Sequence, residues 1–370
     1  MNMDKLAALV DKCASTRGAP AAAELFQHIA QLLSEDVARD ASLDRSLLRS
    51  ALFRVARAGA AARSNNPRAA LALLDGAWLR CRDERDRAAL LAEAERLHAA
   101  AVAASTFEAA ALDAWPDAAD AAGPVMTTVA MGHQRGNHPV VYVRAVAAWP
   151  AVTRWRSPRY WIAELGARVV PVEVGVEHRD SDLAQQRLVP FGEYVDSVLL
   201  PLARGDAASL GGTVCAVSEV VPVTSARTVA YLAQHPLLEQ CPQLSRDAGP
   251  WPRFVQDAIA LGPRAQRGLE PIVSAWVAPR GATTPLHYDR HPNYLFHIVG
   301  RKLVYLWLPD APIPCNAPPA ENTSPLDAAS IIDTCELRAD LRPGDVLFIP
   351  EGWWHYVVTP MTSVSVSVWF

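Results

Sequence analysis

His287 and Asp289 stand two positions apart in the stretch TTPLHYDRHPNYLFHIVGRK, which runs from Thr283 to Lys302. In a strand, residues i and i+2 share a face and lie about 7 Å apart along the backbone, so an imidazole and a carboxylate there can converge on one ion. His291 has the same parity. It lies roughly 13 Å from His287 along an extended chain, too far to join an ion that Asp289 also holds. Pro292 interrupts the strand in any case. A third ligand has to come from another strand. His355 is the candidate, 66 positions beyond Asp289 and behind LRPGDVLFIPEGWW. In a small barrel, a residue there can face back across the interior. Two histidines and one carboxylate on one side of an ion form the facial set that binds Fe(II) and keeps positions open for O2 and a cosubstrate. An H-x-D pair alone is weak; the pair plus a distant histidine in a strand-rich setting is specific. The competing reading is satisfied core or surface histidines.

Two further polar groups belong to the same stretch. NYLFHIVGRKLVYLW reads as two strands joined by a tight turn at Gly300-Arg301. Asn293, Leu295 and His297 share one face of the first, and Lys302 opens the second. Lysine is rare here: Lys5, Lys12 and Lys302 are the only ones, every other cation being arginine. A buried ammonium needs an anionic partner. A dicarboxylate such as 2-oxoglutarate supplies one. His297 reads as barrel-lining and His235 as structural.

These residues must be carried by strands, and the chain supplies them late. Residues 1–115 are Ala- and Leu-rich, with apolar residues at i, i+3, i+4 and i+7, and read as a bundle of about four or five helices. Asp44 and the Asn66-Pro67 pair look like helix starts. Residues 116–139 mix Pro, Gly and polar residues and read as a linker, with His133 and His138 as surface groups. From 140 to 370 the pattern changes. PVVYVRAV, ARVVPVEVGV and RTVAYLAQHP read as strands, with helical pieces in SPRYWIAELG and FGEYVDSVLLPLA. After Pro271 the chain is nearly all strand and turn: PIVSAWVAP, PLHYDR, NYLFHIVG, KLVYLWLP, SIIDTCELRADLRPGDVLFIP, HYVVTP and TSVSVSVWF. Many short strands punctuated by Gly and Pro suggest a jelly-roll barrel, so the fold class is α+β: a helical bundle, then a double-stranded β-helix.

Composition sets the frame. The chain has 370 residues, 51% hydrophobic and 20% charged, enough for a large core. A net charge of -4 gives no general attraction to nucleic acid or anionic membrane. No apolar run reaches the roughly 18 residues of a membrane span, and the start lacks a signal-peptide profile, so a cytoplasmic location is expected. The six cysteines include no C-x-x-C pair and read as reduced thiols.

With these residues in view, the sequence resembles the JmjC branch of the cupin superfamily, the Fe(II)- and 2-oxoglutarate-dependent oxygenases. Within it the chain is most similar to the arginyl-hydroxylase type. The matching segments are RVVPVEVG, YLAQHPLLEQCPQL, TPLHYD, NYLFHIVGRK, PGDVLFIPEGWWHYV and SVSVSVWF, with a weaker likeness in ALLDGAW. The resemblance implies His287, Asp289 and His355 as iron ligands. It implies Lys302, Thr284 and Tyr231 at the distal carboxylate of 2-oxoglutarate, and Asn293 near its other end. Glu173, Gln234 and Trp276 match positions lining the substrate pocket, where an acid pairs with a guanidinium. Glu173 within an apolar strand fits such a role, a structural ion pair being its alternative. Tyr288, Arg290, His291 and the Pro-rich loop PDAPIPCNAPPAENTSPLDAAS are departures from the type.

The implied activity is hydroxylation of a C–H bond, with an arginine side chain in a protein, peptide or small molecule as target. N-methyl-lysine demethylation uses the same chemistry and is the first alternative; a non-catalytic metal-binding cupin is the second. Helical N-terminal regions often mediate dimer contacts, so a homodimer is also expected.

Overall fold

In the computed structural model the described residues are 52–53, 55–57, 60, 66–81, 83–121, 127–131, 137–175, 186–208, 229–317 and 321–370. The expected helix start at Asp44 lies outside them, as do His133, Cys13 and Cys215. Two long helices open the described chain: α1 (Pro67–Trp78) and α2 (Glu84–Ala103). Asn66 caps α1 by accepting the amide of Ala69, and Pro67 takes the first turn, where no N–H is needed. Leu71, Leu74 and Trp78 of α1 pack with Leu90 of α2 in a core of their own.

Thirteen strands follow: β1 (Ala130–Met131), β2 (Val140–Tyr142), β3 (Val169–Gly175), β4 (Gln186–Pro190), β5 (Val229–His235), β6 (Ile272–Ala278), β7 (Thr283–Tyr288), β8 (Asn293–Val299), β9 (Lys302–Trp307), β10 (Leu337–Leu341), β11 (Val346–Ile349), β12 (Trp354–Val358) and β13 (Ser363–Trp369). Nine form one sheet in the order β1-β2-β11-β8-β13-β6-β5-β3-β4. The other four form a second, in the order β10-β9-β12-β7. The small sheet faces the large one, and the expected α+β class with a two-sheet cupin barrel is what the chain adopts.

Period two decides which residues enter the barrel. On β13, Val364, Val366 and Val368 join the main core, which also holds Trp155, Trp161 and Phe191. Ser363, Ser365, Ser367 and Trp369 take the opposite face, toward the interior. The inner layer between the sheets is closed by Leu295, Val304, Leu306, Leu341 and Leu347.

Three local expectations change. β8 and β9 are not a hairpin: β8 belongs to the large sheet and β9 to the small one. Gly300 carries the chain across at φ 78°, and a Cβ there would stand 2.1 Å from the carbonyl oxygen of Thr362. The start of SIIDTCELRADL is helical (Ala328–Ile331), because Asp327 caps it through the amide of Ala329. The segment read as a linker carries β1, paired in parallel with β2, and Asp117, whose carboxylate accepts the amide of Thr362. Cys81, Cys241, Cys315 and Cys335 are free thiols.

Candidate metal centre and active site

The metal-ligand set is built by one strand pair. β7 and β12 run antiparallel with His287 directly opposite His355. Their rings lie 4.1 Å apart between centroids. Asp289 follows just beyond the end of β7. Its Oδ1 is 3.9 Å from Nε2 of His287, and its Oδ2 is 3.8 Å from Nε2 of His355. All three donor atoms fall within 4.8 Å of one another. His291 takes no part among the described residues. The expectation that His355 reaches across the interior is corrected: it is the lateral neighbour of His287, because β12 inserts between β9 and β7.

Hydrogen bonds fix the tautomers. Nδ1 of His287 meets the carbonyl of Pro285 at 2.7 Å, and Nδ1 of His355 meets that of Trp353 at 2.9 Å. A carbonyl only accepts, so each Nδ1 carries a proton, and in the neutral ring each Nε2 would be left to bind an ion. Asp289 is held from behind: Trp369 Nε1 donates to its Oδ2 at 2.8 Å, and Asn293 Nδ2 at 3.3 Å. Two neutral imidazoles and one carboxylate, each oriented by a second contact, suit Fe(II) with open positions.

Lys302 lies in the same pocket and is 2% exposed. Its Nζ donates to the Tyr231 hydroxyl and to Thr359 Oγ1, each at 3.2 Å. Burial alone pushes its pKa down to about 7. No carboxylate among the described residues pairs with it. Burial raises the Tyr231 hydroxyl, while a hydrogen bond with Thr284 opposes that. Lys302, Tyr231 and Thr284 together form an anion seat that asks for a ligand carboxylate. Asn293 Oδ1 is buried without a hydrogen-bond partner, an acceptor that calls for a donor such as water. These features fit iron and 2-oxoglutarate as occupants.

Of the residues expected to face a substrate, Trp276 lines this pocket and donates Nε1 to Ser367 Oγ at 3.0 Å. Glu173 and Gln234 line an adjoining cleft instead. Glu173 stands opposite Tyr231 across β3 and β5, so the two share a face. Gln234 is exposed at a left-handed φ of 47°. His235 is buried against Gln240, and burial lowers its pKa to about 4, in keeping with a structural group. His297 meets Ser365 Oγ through Nδ1 and is lowered to about 3, first by burial.

Sequence reasoning missed Trp369 and Thr359. The alternation SVSVSVWF does carry a signal for Trp369, since it continues the serine face into the barrel. Nothing local marks Thr359.

Residues 127–370 match the family model described as a cupin-like domain. The chain belongs to the cupin-like JmjC family. It is 33% identical to "Lysine-specific demethylase JMJ30" of Arabidopsis thaliana, over 63% of this chain and 49% of that one. It is 30% identical to "Lysine-specific demethylase 8" of Xenopus tropicalis, over 63% and 48%. It is 30% identical to "Jumonji C domain-containing protein 5" of Drosophila melanogaster, over 63% and 54%. The chain thus spans about half the length of the curated relatives it matches. Fe(II) and 2-oxoglutarate are the metal and cosubstrate of this family, and the donor set and anion seat accord with both.

Proposed function

We propose that this chain is an oxygenase that uses Fe(II) and 2-oxoglutarate to oxidise a C–H bond on a cationic side chain of a protein or peptide. The observation that carries this is the meeting of the His287–Asp289–His355 set with the lone buried Lys302 in one pocket. When bound, the pair supplies oxidative decarboxylation of 2-oxoglutarate to succinate and CO2, coupled to insertion of one oxygen atom from O2 into the substrate C–H bond. The protein's own residues hold and orient. His287, Asp289 and His355 would hold the metal through Nε2, a carboxylate oxygen and Nε2. Lys302, Tyr231 and Thr284 would seat the far carboxylate of the cosubstrate, with Asn293 near its other end. Trp276 and Trp369 wall the pocket.

Two substrate readings share this chemistry. The names of the relatives favour N-methyl-lysine, whose oxidised methyl group leaves as formaldehyde. Glu173 in the adjoining cleft supports the other, hydroxylation of arginine, through a carboxylate–guanidinium pair. Of the two, demethylation has the better support from the relatives. Aerobic incubation with Fe(II), 2-oxoglutarate and short peptides bearing either residue separates them by mass: loss of a methyl group against gain of one oxygen. Absence of Fe(II)-dependent succinate release under every condition would overturn the oxygenase reading itself.

No helix among the described residues is long and apolar enough to cross a membrane. We place the protein in the cytoplasm, and a homodimer through its helical region remains part of the proposal; fractionation and light scattering test the two.

A further inference from the structure

The ladder between β3 and β5 is short: Glu173 pairs with Tyr231, Val174 with Ala230 and Gly175 with Val229. Beyond Tyr231 the strands part. β5 loses register with β6 between Leu232 and His235, and Gln234 takes its left-handed φ. Continued register would set His235 opposite Val169. The Arg168 carbonyl accepts the amide of Phe191, on the β4 side. Peptide groups of successive strand residues point to opposite edges, so the N–H and C=O of Val169 point toward β5. They do not meet it. Asp75 of α1 accepts the Val169 amide at 2.8 Å, and Gln240 Nε2 donates to the Val169 carbonyl at 2.7 Å.

These two side chains belong to one buried network. Asp75 accepts Arg168 Nε at 2.9 Å and Nη2 at 2.6 Å, and Gln240 Nε2 at 3.3 Å. Gln240 Oε1 accepts from His235 Nε2 at 2.6 Å. Asp75, Arg168, His235 and Gln240 are each 3% exposed or less. Trp78, also on α1, sets its ring edge-on to His235 at 6.5 Å. The opening between the strands is the cleft lined by Glu173, Gln234 and His235 beside the metal pocket.

We propose that a buried network joining α1 to β3 and β5 is a built-in part of the substrate site: Asp75 of α1 and Gln240 of the short helix Leu237–Gln240 replace the missing ladder bonds, hold β3 and β5 apart, and so fix the cleft wall that carries Glu173 and Gln234. Both are positioning residues. The cosubstrate seat of Lys302, Tyr231 and Thr284 lies on the paired side of the ladder, where Tyr231 keeps its register with Glu173. The proposal rests on the oxygenase reading only for what occupies the cleft.

Removing Asp75 would strand a buried guanidinium, so the test uses Gln240→Met and, as the milder variant, His235→Phe, which keeps the ring against Trp78. The full-length protein is followed by amide hydrogen exchange. Faster exchange, by about tenfold or more, is expected at 169–172 and 232–236, with 283–307 and 346–369 unchanged. In parallel, peptide-free succinate release and the 2-oxoglutarate KM should stay at wild-type values. The KM of whichever peptide, methyl-lysine or arginine, stimulates the wild type should rise about tenfold. Unchanged exchange at both segments in the two variants, or a 2-oxoglutarate KM that moves with the peptide KM, overturns the proposal. A wild type that releases no succinate overturns the oxygenase reading instead, and the exchange result still decides whether the Asp75–Gln240 network governs the cleft.

Discussion

His355 stands directly opposite His287 in an antiparallel pair, so two of the three proposed metal ligands are neighbours across one ladder. Each ring is locked by a carbonyl two residues back, Pro285 within β7 for His287 and Trp353 just before β12 for His355. The two histidines are therefore as rigid as the β7–β12 pair. His355→Ala should abolish Fe(II) binding, read by titration, while the metal-free fold survives with little change in melting temperature.

Trp369 holds Asp289 by donating Nε1 to its Oδ2. Trp369→Phe keeps the ring and deletes one donor to a ligating carboxylate. Such contacts are typically worth about 10- to 100-fold in metal affinity. Fe(II) affinity should fall by that order, with the 2-oxoglutarate KM at saturating metal little altered.

Lys302→Met removes a buried ammonium that has no counter-charge among the described residues. The metal-free variant should be more stable than wild type at neutral and lower pH, measured by denaturant melts. Its 2-oxoglutarate KM should rise by on the order of 10- to 100-fold, the weight of hydrogen bonds to a charged group.

The same lysine sets a pH dependence. Burial lowers its folded-state pKa to about 7, below the usual value of 10.5. Between those two values the unfolded chain holds the extra proton, so wild-type stability should climb as pH rises through that window. Below it the destabilisation is fully present. A bound dicarboxylate needs the charged form, so 2-oxoglutarate affinity should weaken as pH passes above about 7. Lys302→Met should flatten both profiles.

Gly300→Ala tests the crossover between sheets. A Cβ would meet the Thr362 carbonyl at 2.1 Å, at a φ that side chains avoid. A loss of about 1–3 kcal/mol in unfolding free energy is expected.

The sequence by itself determined what depends on local spacing. The parity of His287 and Asp289, the exclusion of His291, the valine-rich strands, the Asn66 cap and the oddity of one lysine among arginines were all readable from neighbouring residues. They sufficed for the fold class and for proposing the His287–Asp289 pair, because strand and helix periods are short-range properties of the backbone. Tertiary structure decided what depends on which strand lies beside which. That β12 enters next to β7, making His355 a neighbour rather than a partner across the barrel, is a matter of sheet order. So is the arrival of Thr359 at Lys302 and Trp369 at Asp289. The five hydrogen bonds that the Asp75 carboxylate accepts come from residues 93 or more positions away. Such contacts are selected by the burial of whole elements, which no short window of sequence encodes.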